Sequence, residues 1–288
     1  MINRLSVLCF AGTYALALVS DLSRFVVRIP ARWHVTLVLT LLGWLVQAAY
    51  LGNWAWRSSE LPTATVFGSL LVLAWVLTAI DLYLTLRAPH DVAVGAFHLP
   101  LVLFLLGLAG FLPKAEWTTP HGWFAFWGVA HGSLLLGGAV ATCVAFATGL
   151  MFLAQSRRLK RKRPPRFGFA LPSLEQSERV NRGAITLAFP LLTAGLLIGV
   201  ALSFTARAGL GGHTFTLSWA DPKVISAIGM WLVFAVLLHA RFRPELRGRS
   251  VMLLTVIAFA FLVFTWVGVE ALQLPTAHGA PRTAGRLP

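Results

Sequence analysis

Arg157-Arg158-Leu159-Lys160-Arg161-Lys162-Arg163-Pro164-Pro165-Arg166 sets seven positive charges within ten residues of a chain otherwise built from long uncharged apolar runs. A segment this basic is held on the cytoplasmic side of a membrane during insertion, so it fixes the threading on either side of it. Immediately upstream lies the run 126–153 and downstream the run 183–203; further out lie 5–20, 34–51, 64–86, 93–112, 224–240 and 250–272. A hydrocarbon core about 30 Å thick takes roughly 20 apolar residues of helix to cross. Uncharged runs of this length without period-two alternation are not barrel strands, and only helices otherwise satisfy their own backbone in lipid. The sequence therefore predicts an all-α, polytopic integral membrane protein with about eight transmembrane helices. With 57% hydrophobic and 12% charged residues, no stretch between the runs is long enough for a soluble domain, so 1–288 reads as a single membrane domain.

Orientation follows from the alternate connections. With both termini extracytoplasmic, the inner loops collect 17 of the 24 Lys and Arg residues and the outer segments hold 7. A cleavable signal over residues 1–20 would place Arg24, Arg28 and Arg32 outside and reverse every later loop, so that run is read as a first span. The net charge of +14 is distributed as insertion requires and no nucleic-acid fold accompanies it, so no nucleic-acid partner is expected. Cys9 and Cys143 fall inside spans without C-x-x-C spacing, which excludes a thiol oxidoreductase and a c-type cytochrome. After the basic run, Ser173-Leu-Glu-Gln176 fits a capping box, predicting a short amphipathic helix toward Arg182 that lies along the inner surface.

The eleven tryptophans are unevenly placed. Trp54, Trp56, Trp117, Trp123, Trp127, Trp219 and Trp266 fall at or near the outer surface, whereas Trp33 alone lies at the inner boundary. Such a surplus is either an interfacial belt or a platform for a planar apolar ligand. Four of eight histidines, His121, His131, His213 and His278, share that outer side, and His131 lies about a turn inside its span, where an unpaired imidazole is costly. Imidazole is a common ligand of haem iron. Directly before the seventh span, Ser218-Trp219-Ala220-Asp221-Pro222-Lys223 supplies an N-cap aspartate and a proline suited to the first helical turn. On the inner side, Asp81, His98 and His239 form a second cluster, with Asp81 read as snorkelling toward Arg87.

Six stretches in series, Leu159-Lys-Arg-Lys162, Leu171-Pro-Ser-Leu-Glu175, Ala188-Phe-Pro-Leu-Leu-Thr-Ala-Gly195, Asp221-Pro-Lys223 with Trp231, Leu238-His239-Ala-Arg241 and Leu246-Arg-Gly-Arg249, are similar to the cytochrome c assembly membrane proteins. That family includes the CcsA-type haem handlers and the HemX-like and YpjD-like relatives. Most of the resemblance lies in residues 120–272, after an N-terminal set of four helices in 1–119 and before an extracytoplasmic tail, 273–288. It implies a haem site on the extracytoplasmic face, with His131 and His278 as iron ligands and His239 as an intramembrane histidine near the cytoplasmic end of its span. Trp219, Asp221, Pro222 and Lys223 form its loop motif, and Arg207, Lys114 and Lys223 are the basic groups available to propionates.

The implied partners are transient haem, apocytochrome c, a partner assembly subunit and the lipid bilayer, in the bacterial cytoplasmic (inner) membrane. The implied role is delivery of haem for attachment to apocytochrome c, at most as a subunit of a haem-attachment complex and not as an enzyme alone. The sequence departs from the family pattern in carrying a single Trp219 in its loop and in having Gln47 where close relatives have histidine. These departures keep open a HemX-like scaffold or regulator of tetrapyrrole or respiratory-complex biogenesis, with a degenerate haem site.

Overall fold

A computed structural model describes residues 2–25, 32–58, 61–87, 92–112, 123–162, 171–207, 220–240 and 248–272. Eight long helices occupy them: α1 (Ile2–Leu22), α2 (Arg32–Ser58), α3 (Val66–Arg87), α4 (Gly95–Phe111), α5 (Trp123–Lys160), α6 (Leu174–Arg207), α7 (Pro222–Ala240) and α8 (Arg249–Val263), which continues through a π-turn (Phe264–Gly268) into Val269–Ala271. The chain is an all-helical, polytopic membrane protein. Six helices, α2, α3 and α5 to α8, are long and apolar enough to cross a bilayer. The apolar part of α1 (Val7–Leu22) and all of α4 are shorter, and 17 residues of α4 rise only about 25 Å.

The helices pack in two rings: α1–α2–α3–α4 closes on itself through α1 and α4, and α5–α6–α7–α8 through α5 and α8. Contacts of α5 with α3 and α4 join the rings, and one apolar core runs through both. Because lipid tails are as apolar as the side chains, association of the helices rests on close packing and buried hydrogen bonds. The α5–α6 seam shows how small residues achieve this. A Cβ built on Gly138 would lie 2.6 Å from Leu192 Cδ2, and one on Gly195 would lie 2.7 Å from Leu135 Cδ2. Asn181 completes the seam, donating to Ala145 O at 2.6 Å.

The capping box opens α6 itself and not a separate surface helix. Ser173 accepts the Gln176 amide at 3.1 Å, and the helix runs unbroken from Leu174 through Gly183. Glu175–Arg179 and Glu178–Arg182, each one turn apart, support these exposed first turns. Mid-span tryptophans serve packing: Trp44 stacks on Trp75 at 5.2 Å, and Trp231 stacks on Phe189 while donating to Thr193 Oγ1 at 2.8 Å. Gln47 is fully buried and fills a structural position, accepting from Tyr14 Oη at 2.7 Å and donating to Leu71 O at 3.0 Å.

Candidate functional site

His131 stands two turns inside the first residue of α5 and faces α6. Its Nδ1 lies 2.7 Å from the carbonyl oxygen of Gly195. A carbonyl only accepts, so Nδ1 carries the proton and Nε2 keeps its lone pair. Among the described residues Nε2 has no hydrogen-bond partner. The ring rests on Gly199, where any Cβ would come within 2.7 Å of His131 Cε1 and 3.1 Å of Nδ1. A backbone carbonyl on one ring nitrogen with the other nitrogen open is the arrangement that orients a metal-binding imidazole.

Aromatic rings continue outward from His131 on the same helix. Trp127 lies four residues away, hence on the same face. Trp123 and Phe126 each pack on Trp127 at 5.4 Å, and both are about two-thirds exposed. The Trp127 indole nitrogen is buried, without a hydrogen-bond partner among the described residues.

Asp221 and Pro222 open α7 as their chemistry requires. Asp221 is buried, and its Oδ1 accepts the Lys223 amide at 2.8 Å while its backbone carbonyl accepts from Ile225. Pro222 is the first helical residue. Lys223 Nζ lies 2.6 Å from Glu270 Oε1, with both side chains mostly buried. Its charge is thus already matched by a carboxylate 47 positions away, which changes the role expected of Lys223 as a cation for propionates. A second link, Thr265 Oγ1 to Ser226 Oγ at 2.9 Å, fastens the π-turn of α8 to the start of α7. In that turn the Val269 amide bonds to Phe264 O.

The sites do not all converge. His239 is exposed in the last turn of α7, at the opposite end of its ring from His131 and Lys223. Near it, a shallow groove between α6, α7 and α8 is lined by Asn181, Arg182, Leu237, Ala240 and Met252. Asp81 does not reach toward Arg87, which is exposed over the Tyr83 ring. It is buried beside His98, while His239 sits on α7, which packs on α6 and α8. Trp219, His278, His121, His213 and Lys114 lie outside the described residues, as does the side chain of Arg207. Among the described residues no group of three or more His, Cys, Asp or Glu could hold a metal ion.

Residues 63–275 match the family model described as cytochrome C assembly protein. The chain belongs to the cytochrome c assembly protein family. The match begins before α3, so it takes in α3 and α4 of the first ring and all of the α5–α8 ring of this assembly-family chain. It is similar to cytochrome c biogenesis protein CcsA of Prochlorococcus marinus (strain MIT 9313), 26% identical over 271 residues, covering 83% of this chain and 82% of the relative. CcsA of Synechococcus sp. (strain CC9605) is 27% identical over 292 residues, covering 92% and 93%. CcsA of Porphyra purpurea is 25% identical over 304 residues, covering 91% and 92%. No solved structure matches the chain. Gly195, Gly199 and Glu270, which give the site its hydrogen bond, floor and counter-charge, carry no local signal in the sequence because each acts on a helix distant in the chain.

Proposed function

We propose that this cytochrome c assembly protein binds haem transiently at the His131 end of the α5–α8 ring, on the extracytoplasmic face of a bacterial cytoplasmic membrane, and presents it for attachment to apocytochrome c. The observation that carries the proposal is the imidazole of His131, fixed by the Gly195 carbonyl with Nε2 left open. Trp123, Phe126 and Trp127 offer flat apolar surface next to it, on the helix and not in the loop. His131 is the first iron ligand and His278 the second, with Trp219 completing the aromatic surface. Asp221 and Pro222 hold the start of the helix that follows the loop. Haem supplies the iron and the vinyl groups that accept cysteine thiols. The protein holds iron through imidazole, shields the ring with aromatic faces and leaves an edge open.

The threading is part of the same proposal: eight spans with both termini extracytoplasmic. Its support is that Arg24, Arg32, Arg87, the basic residues from Arg157 to Lys162, and Arg179, Arg182 and Arg249 occupy one end of the alternating helices. His239 and its neighbouring groove would then lie on the cytoplasmic side.

Visible absorption of the protein purified in mild detergent after haem-replete expression tests the proposal. We expect a Soret band that His131→Ala weakens several-fold; a colourless wild-type protein overturns it. A second reading, a HemX-like scaffold or regulator, is favoured by the Lys223–Glu270 pair, which withdraws a cation from the site. It predicts membrane partners that co-purify unchanged when His131 and His278 are both replaced by alanine.

A further inference from the structure

The α1–α4 ring carries ionisable groups that haem handling does not use. Asp81 on α3 and His98 on α4 are 2% and 1% exposed, in the interior of a bundle that crosses lipid. His98 Nδ1 lies 3.2 Å from Val94 O, so this nitrogen donates to the carbonyl. Asp81 Oδ1 is 3.6 Å from the same nitrogen, too far for a hydrogen bond. Asp81 Oδ1 and His98 Nε2 are both buried, with no hydrogen-bond partner among the described residues.

The surrounding groups do not supply the missing charge. Asp21, from α1, is paired with Arg24, and its second oxygen lies 3.4 Å from a Cβ built on Gly95, one turn before His98. Arg32, at the start of α2, acts on Asp21. Tyr14 of α1 gives its hydroxyl to Gln47. On the other side, α5 contributes Cys143 as its one fully buried titratable side chain. Arg24 pairs with Asp21, and Arg32 is half-buried and bonded to Ser23 Oγ, so among the described residues neither arginine meets Asp81 or His98, which are left to balance themselves.

An uncompensated charge sealed among apolar helices is expensive, so the Asp81–His98 pair is neutral overall. It then contains one dissociable proton. Were that proton on the imidazole, the carboxylate would lack any donor and a second N–H would lack any acceptor. On the carboxyl, each group is uncharged and the Nδ1 bond to Val94 is kept. The balance is simple: carboxylate plus one proton gives carboxylic acid, with nothing else consumed.

We propose that the α1–α4 ring encloses a proton-binding site in which Asp81 holds one exchangeable proton beside the imidazole of His98. The ligand is the proton itself. The site stands apart from the α5–α8 ring, so it is independent of the haem reading.

Infrared spectroscopy of the full chain in lipid nanodiscs tests this. The protein has four aspartates, Asp21, Asp81, Asp91 and Asp221, so labelling aspartate side chains with carbon-13 identifies their bands. At neutral pH we expect a protonated-carboxyl stretch that moves on labelling and moves again in heavy water. It should be lost in Asp81→Asn, shifted in His98→Gln and unchanged in His131→Ala. The proposal is overturned by the absence of a label-sensitive band, by a band that survives Asp81→Asn, or by one that heavy water leaves in place. If Asp81→Asn does not insert, His98→Gln decides: a band at the wild-type position also overturns it.

Discussion

Replacing Gly199 with alanine tests the geometry of the His131 imidazole through a single methyl group. An open helical glycine replaced by alanine gains about 1 kcal/mol of helix propensity. At Gly199 the new Cβ would lie 2.7 Å from His131 Cε1 and 3.1 Å from Nδ1, closer than carbon contacts permit, so the ring must move. Overpacking of this kind costs about 1–3 kcal/mol, and losing the bond from His131 to the Gly195 carbonyl costs about 1 kcal/mol more. The sum, roughly 2–4 kcal/mol less about 1, leaves a net destabilisation of about 1–3 kcal/mol. Gly107→Ala on α4, where a built Cβ meets nothing within 4 Å, is the control and should be neutral or stabilising. Thermal unfolding in detergent reads the stability. The Soret band reads the ligand: loss of about 1 kcal/mol of imidazole orientation weakens haem binding roughly five-fold. If Gly199→Ala matches Gly107→Ala in stability and retains the wild-type band, the placement of His131 against α6 is wrong.

Other perturbations address the framework around this site. Lys223→Met or Glu270→Met alone leaves a mostly buried charge unmatched and should cost about 1–3 kcal/mol, while the double variant recovers much of it; additive losses in a double-mutant cycle on unfolding midpoints would show that the two groups do not interact. Asp221→Ala removes the cap of α7 and should cost about 1 kcal/mol, with Asp221→Asn close to wild type in the same melts. Gln47→Leu strands the Tyr14 hydroxyl and should cost about 1–3 kcal/mol, and adding Tyr14→Phe should restore part of that loss.

The helices were legible because a run of uncharged apolar residues in lipid has only one way to satisfy its backbone. His131 was legible as a polar group one turn inside such a run, and Asp221 and Pro222 as an ordinary helix start. What escaped is tertiary. Gly195 and Gly199 look like any small residues in an apolar helix until α5 is laid on α6, and Glu270 meets Lys223 only after α8 has packed on α7. Asp81 was misjudged for a local reason. Arg87 is six residues on, about a third of a turn away around α3, so the two side chains leave different faces of the helix. The inner-surface helix failed because Gly183 in an apolar context does not stop a helix already capped at Ser173.

The π-turn at Phe264–Gly268 amounts to an α-helix with one residue too many, and each residue of α-helix subtends about 100°. Removing a single residue from this stretch should therefore be tolerated by the backbone, which would relax to ordinary α geometry. It should also keep Glu270 within reach of Lys223, because the residue removed is the extra one, whereas a deletion in the regular helix before Phe264 would swing Glu270 by about 100°. A deletion scan through the end of α8 thus distinguishes the π-turn from the regular helix before it by the fate of one ion pair.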